Sequence, residues 1–272
     1  MLGQMGEALR LLLRRGQYIL GWFVRIFKSS MIRTLDVLPS SRSENFLKSY
    51  DLLVKKVNRN RKPPIDPESG EYASWFKPGN DEYFVHSDMS AKRDSTGIAM
   101  AHWDFDRDVC VLDFMLGKPV PVGGELEIRD IRKRIFELDE MGFGIYKATF
   151  DRWQSLDTIQ ILRSRGILAE EYSCDRNMQA YDTLLELSLS GKLDFYWYEK
   201  FMKEFKGLRI LGGKKVDHPQ YGSKDVTDAV AGAVTQCYLR AIEGGGRRGG
   251  GRINGTSLRR RQRGRAEEII FG

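Results

Sequence analysis

Four aspartates stand where apolar segments meet polar sequence. Asp88 follows Tyr83-Phe84-Val85-His86-Ser87, Asp151 follows Tyr146-Lys147-Ala148-Thr149-Phe150, and Asp225 with Asp228 opens the apolar run Ala229-Val230-Ala231-Gly232-Ala233. Carboxylates are hard oxygen donors, and hard divalent cations take oxygen ligands. Acids carried by different strand ends and by a helix start can converge on one point, which is how a metal-dependent phosphodiesterase is built. Each position also has a plainer reading. Asp88 suits an Asx-turn, and Asp151 can precede a helix capped near Ser155. Asp225 or Ser223 can cap the last helix while Asp228 favours its positive end, a gain of roughly 1 kcal/mol. Capping accounts for one acid there better than for two, since the i, i+3 spacing of Asp225 and Asp228 puts both on one helical face.

These residues must be positioned by secondary structure, and the pattern supplies it. Tyr83 to Ser87 reads as a strand, and Gly97–Trp103 and Val109–Met115 flank the polar turn Asp104-Phe105-Asp106-Arg107-Asp108 as a hairpin. Glu125 to Met141 is helix-periodic, with Ile128, Ile131, Ile135 and Leu138 on one face. Strands are expected over Phe143–Phe150, Gly166–Tyr172 and the aromatic Leu193–Tyr198, and helices over Ser155–Ser164, Arg176–Ser190 and Asp225–Ile242. Three antiparallel strands followed by alternating helices and strands predict an α/β fold, a mixed sheet flanked by helices.

The domain boundaries follow composition. Residues 1–81 read as a helical arm, with a second helix over Ser43–Lys56 and the connector Lys62-Pro63-Pro64-Ile65-Asp66-Pro67-Glu68-Ser69-Gly70. Residues 82–243 read as the folded domain, and 244–272 as a disordered Gly/Arg tail with too little apolar sequence to bury. The 272-residue chain is 41% hydrophobic and 30% charged with a net charge of +7, which favours a polyanionic partner. Its three cysteines, Cys110, Cys174 and Cys237, are far apart, which argues against a zinc cluster and against a disulfide framework. Arginines 10, 14, 15 and 25 interrupt the apolar stretch Leu9–Phe27, so a spanning helix is not expected and membrane attachment is disfavoured. That amphipathic stretch is expected to pack on another protein surface.

Read in order, the segments become more specific. His86-Ser87-Asp88-Met89-Ser90 is followed by Asp94-Ser95-Thr96-Gly97, then Thr149-Phe150-Asp151-Arg152-Trp153-Gln154-Ser155 and Ser173-Cys174-Asp175-Arg176. The series closes with Asp217-His218-Pro219 and Ser223-Lys224-Asp225-Val226-Thr227-Asp228-Ala229. In this order the chain resembles the C-terminal nuclease domain of the large terminase subunit of tailed bacteriophages, within the ribonuclease H-like superfamily, over about Val37 to Ala241.

The resemblance implies that Asp88, Asp151 and Asp225 are metal-binding catalytic acids, that Asp228 is a further one, and that Asp94 is an auxiliary ligand. It implies two Mg²⁺ or Mn²⁺ ions and hydrolysis of double-stranded DNA during genome packaging, in the cytoplasm of a bacterial host. A portal, a small terminase subunit and a packaging ATPase on another chain would be the partners. An ATPase is expected elsewhere because no GxxxxGK[ST] occurs, Gly212-Gly213-Lys214-Lys215 lacking both the spacing and the hydroxyl residue. Lys224, Arg152 and His218 are candidate DNA contacts, and Tyr196-Trp197-Tyr198 is either a stacking platform for bases or core. Two competing readings stand beside the nuclease: a non-catalytic packaging or assembly factor binding DNA through its basic tail, and a stand-alone Holliday-junction resolvase.

Overall fold

The computed structural model describes residues 42–66, 69–89, 96–118, 128–151, 156–211, 215–218 and 222–243. The amphipathic stretch Leu9–Phe27, Asp94, Arg152 and the tail from Gly244 therefore lie outside the described residues. The elements run α1 (Arg42–Lys56), β1 (Tyr83–Met89), β2 (Thr96–Asp104), β3 (Val109–Lys118), α2 (Ile128–Glu140), β4 (Ile145–Phe150) and α3 (Leu156–Ser164). They continue with β5 (Leu168–Glu171), α4 (Gln179–Leu189), β6 (Leu193–Asp194), α5 (Glu199–Gly207), β7 (Arg209–Leu211), β8 (Lys215–Asp217) and α6 (Asp225–Ile242).

Six strands form one mixed sheet in the order β5-β4-β1-β2-β3-β6, and β7 and β8 make a separate antiparallel pair. β1, β2 and β3 are antiparallel neighbours, while β4 joins β1, β5 joins β4 and β6 joins β3 in parallel. This is the predicted α/β arrangement, a mixed sheet flanked by helices.

Strand alternation delivers two cores, one on each face. Val85, Ile98, Met100, Ala148 and Phe150 pack with Ile131, Ile135 and Leu138 of α2 and Ile159 and Leu162 of α3. Phe84, Ala99 and Ala101 pack on the other face with α4, α5 and α6. The register between β2 and β3 shifts between Met100 and Ala101, leaving Asp113 as an extra residue. That bulge turns Phe114 to the α2 face and Leu112 to the α6 face, although both are even-numbered. Residues ahead of the sheet also enter these cores: Leu53 and Val57 join the α6 face, and Ile65 and Phe76 the α2 face.

α6 is the central helix. Its residues from Asp225 to Cys237 are all buried, and small side chains let it lie against the sheet. A Cβ at Gly232 would stand 2.1 Å from the ring of His86, so only glycine fits there. Among the described residues no helix is long and apolar enough to cross a membrane.

The structure changes one strand assignment and adds elements. The expected strand Leu193–Tyr198 is a strand only over Leu193–Asp194. Beyond that point the Tyr196 and Tyr198 hydroxyls accept the backbone N–H groups of Met115 and Gly117, at 2.8 and 3.1 Å. Phenol oxygens thus satisfy the β3 edge that a longer strand would have paired. Tyr196 is fully buried and belongs to the core, while Trp197 and Tyr198 pack against that core half-buried. Helix α5 was not anticipated. Its Phe201, Met202 and Phe205 are buried, a helical spacing legible in the sequence. The β7–β8 pair was not anticipated either.

Candidate metal centre

Backbone register brings the aspartates together. His86 of β1 lies opposite Thr149 of β4, and Ser87 opposite Phe150. The next residues along these parallel strands are Asp88 and Asp151, and the Asp151 N–H donates to the Ser87 carbonyl at 3.1 Å. His86 and Thr149 share a side-chain hydrogen bond of 2.8 Å on the α6 face. Asp88 and Asp151, two residues further on, point to that same face. On the other side of β1, Asp88 pairs with Gly97 of β2. A Cβ at Gly97 would stand 2.0 Å from the Asp225 carbonyl oxygen, so the start of α6 rests on this bare glycine. Asp228 lies one turn further along α6. β1, the end of β4 and the start of α6 thus each contribute carboxylate to one face.

The electrostatics agree with this convergence. Burial, then the charges of Asp228, Asp225 and Asp151, push the Asp88 carboxyl well above the usual carboxylate range. Among the described residues, Asp151 Oδ1 is a buried carboxylate oxygen without a hydrogen-bond partner. A native buried acceptor left unmatched calls for an explanation, and an oxygen-rich cluster that is mutually repulsive fits a hard divalent cation. Asp88, Asp151 and Asp225 are the residues that would hold it.

Asp228 stands in a different environment. Tyr181 donates its hydroxyl to Asp228 Oδ1, and the Lys224 ammonium donates to Oδ2. Asp228 is 2% exposed; burial raises its pKa against the opposing pull of Lys224 and Tyr181. Lys224 also reaches Asp175 Oδ1 at 2.9 Å, and Lys215 holds Asp175 Oδ2 at 3.2 Å. Burial pushes Asp175 up, but the two ammonium groups outweigh it and keep its carboxyl below the usual range. As the side chains stand, no three His, Cys, Asp or Glu groups among the described residues are gathered tightly enough to hold an ion.

The start of α6 is capped from outside. Lys224 occupies the cap position without a side-chain cap hydrogen bond, contrary to the expectation that Ser223 or Asp225 would cap it. Glu204 of α5 does this instead: its Oε2 accepts the Thr227 N–H at 3.0 Å and lies 3.3 Å from the Thr227 hydroxyl. The Ser223 hydroxyl lies between Glu204 Oε1, at 2.9 Å, and Asp225 Oδ2, at 2.8 Å. Glu204 thereby steadies both the first turn of α6 and the Asp225 carboxylate. Neither it nor Tyr181 was singled out from sequence. No local motif marks them, because their partners are 23 and 47 residues away.

Other polar groups of the domain have partners of their own. His86 is fully buried, and burial lowers its pKa to about 3, so the ring is neutral. Its two nitrogens face the Thr149 hydroxyl and, at 3.8 Å, the Cys174 sulfur. Burial and the nearby carboxylates push the Cys174 thiol well up, and its Sγ lies 3.4 Å from the Asp228 carbonyl. Lys224, expected to touch DNA, is 8% exposed with its ammonium turned inward. His218 follows β8, and its Nε2 lies 3.9 Å from Asp217.

Comparison with solved structures places this topology. The nuclease domain of the large terminase of Thermus phage P74-26 is 15% identical, over 69% of this chain and 94% of that domain, with a TM-score of 0.50. The fold is that of a large-terminase nuclease domain. The large terminase of a thermophilic bacteriophage is 9% identical over 69% of this chain, also with a TM-score of 0.50. That of HK97 is 17% identical over 64% of it, with a TM-score of 0.48. This chain spans 45% and 43% of those two large terminases, less than half of either. No protein-family model matches the sequence, and no curated protein matches it. Within the large-terminase nuclease fold, the carboxylates stand at the ends of β1 and β4 and at the start of α6.

Proposed function

We propose that this chain is a metal-dependent DNA endonuclease of the large-terminase type, cutting viral DNA as it is packaged. The observation that carries the reading is the convergence of carboxylates from β1, β4 and α6 on one face, with Asp151 Oδ1 buried and unmatched. A bound divalent cation supplies Lewis-acid activation of water and neutralisation of the phosphate. The chain's own part is to hold charge and geometry. Asp88 and Asp151 are fixed by adjacent parallel strands, and Asp225 by the Gly97 contact and the Ser223–Glu204 bridge.

Double-stranded DNA is the proposed substrate. The portal, the small terminase subunit and a packaging ATPase are the proposed partners, and the host cytoplasm the place of action. The division into an arm, residues 82–243 and a basic tail is proposed with Leu53, Val57, Ile65 and Phe76 of the arm seated in the cores of the domain. Incubation with supercoiled plasmid and Mn²⁺ tests the reading: the wild-type chain should nick and linearise it, and Asp88→Ala and Asp151→Ala should not. Plasmid left intact by all three would overturn the nuclease reading in favour of a non-catalytic packaging factor. Preferential symmetric cutting of four-way junctions would favour a resolvase.

A further inference from the structure

The acid on the second position of the α6 pair is already matched by charge. Asp228 has both carboxylate oxygens engaged, one by the Tyr181 hydroxyl and one by the Lys224 ammonium. Lys224 is four residues before Asp228 and bridges it to Asp175, whose other oxygen is held by Lys215. An ammonium and a hard divalent cation compete for the same ligand, a carboxylate oxygen. Here the ammonium is buried and lies on the same turn of α6 as Asp225.

We propose that the Lys224 ammonium is a built-in cation standing in for a second metal ion, so that the site takes one divalent ion on Asp88, Asp151 and Asp225, and Asp228 admits another only when Lys224 is withdrawn onto Asp175. This inference rests on the metal-site reading above and departs from its two-ion form. Asp175 has a definite part in it. It is the second carboxylate on which Lys224 is seated, and it gives the ammonium somewhere to stay when Asp228 is released. A lysine needed only as a surface phosphate contact would not be 8% exposed between two aspartates.

The test is Mn²⁺ binding to the full chain, read by calorimetry for stoichiometry and by electron paramagnetic resonance for coupling between neighbouring ions. The wild type should bind one strong ion with an uncoupled spectrum. Lys224→Gln should bind two, the second at least about tenfold tighter than any second ion in the wild type, because a nearby positive charge is gone; the spectrum should show a coupled pair. Lys224→Arg should restore the single ion. Asp228→Asn guards against misfolding of Lys224→Gln: it should still bind one uncoupled ion, more weakly because a nearby negative charge is gone, since Asp228 is not its ligand. Two coupled ions in the wild type, or one ion of unchanged affinity in Lys224→Gln, would overturn the inference and leave the nuclease reading standing. Complete loss of the first ion in a folded Asp228→Asn chain would also overturn it. No ion bound to the wild type would instead overturn the metal-site reading itself.

Discussion

Gly97→Ala should disable the site with little loss of fold. Gly97 pairs with Asp88 in the β1–β2 ladder, and its missing side chain leaves room for the first residue of α6. An added Cβ would stand 2.0 Å from the Asp225 carbonyl oxygen, 2.4 Å from its carbon and 2.8 Å from the Val226 nitrogen. All three are backbone atoms of a buried helix, so no rotamer change relieves the clash. The helix start must retreat by at least about 1 Å, which carries Asp225 away from Asp88 and Asp151; misplacement on that scale costs about 100-fold in rate. Overpacking itself costs about 1–3 kcal/mol, which lowers the melting temperature by roughly 2–4 °C per kcal/mol in a domain of this size. Plasmid cleavage and Mn²⁺ affinity measured at 25 °C, below the melting transition, read the site separately from the fold. Gly232→Ala is the comparison, because its Cβ meets the His86 ring and not the α6 start. It should destabilise to a similar degree with a smaller loss of rate. A folded Gly97→Ala chain cutting within about threefold of wild type would refute the claim that Gly97 sets the position of Asp225.

Three further outcomes follow from the same geometry. Removing Glu204 by Glu204→Ala should cost about 1 kcal/mol through the lost cap and weaken Mn²⁺ binding through Ser223 and Asp225; Glu204→Gln, which keeps an acceptor for Thr227, should recover the stability. Equal metal affinity in Glu204→Ala and wild type would count against the bridge. Asp151→Asn should raise the thermal stability of the metal-free chain by about 1 kcal/mol, because one of the mutually repelling carboxylates beside Asp88 loses its charge, while Mn²⁺ no longer stabilises it; a lower metal-free melting temperature would contradict this.

The third concerns pH. Burial works against a charged His102, but the 2.6 Å hydrogen bond and charge of Asp113, with Asp81 and Asp104 nearby, outweigh it and raise the imidazole pKa. Burial raises the Asp113 carboxyl as well. A group whose pKa is raised by folding stabilises fully below its unfolded value, about 6.5 for histidine, and that stabilisation is lost as pH climbs through the folded value. The melting-temperature advantage of wild type over His102→Asn should therefore shrink as pH rises above about 6.5. A difference that stays constant across that range would contradict the pairing.

Much of the sheet was legible because its signals are local. The hairpin of β2 and β3 is two apolar runs around a polar turn, and α6 was placed with both its ends at Asp225 and Ile242. The aspartates were legible because each stands where an apolar run stops, and strand order then places those ends side by side. What sequence did not carry is what depends on distant partners. Glu204 caps α6 from another helix, Tyr181 reaches Asp228 from α4, and Lys224 turns inward because Asp175 and Asp228 flank it. The aromatic run after Leu193 looked like a strand because β-propensity favours it. It stops pairing where phenol hydroxyls take over the β3 edge.

The central claim is that Asp88 and Asp151 share a divalent cation. Anomalous scattering from a crystal of the full chain soaked in Mn²⁺ tests it most directly. The account predicts a peak at ligand distance from both carboxylates, with Asp225 beside it. At saturating Mn²⁺, a map without a peak between Asp88 and Asp151, or with Mn²⁺ bound only elsewhere, would contradict it.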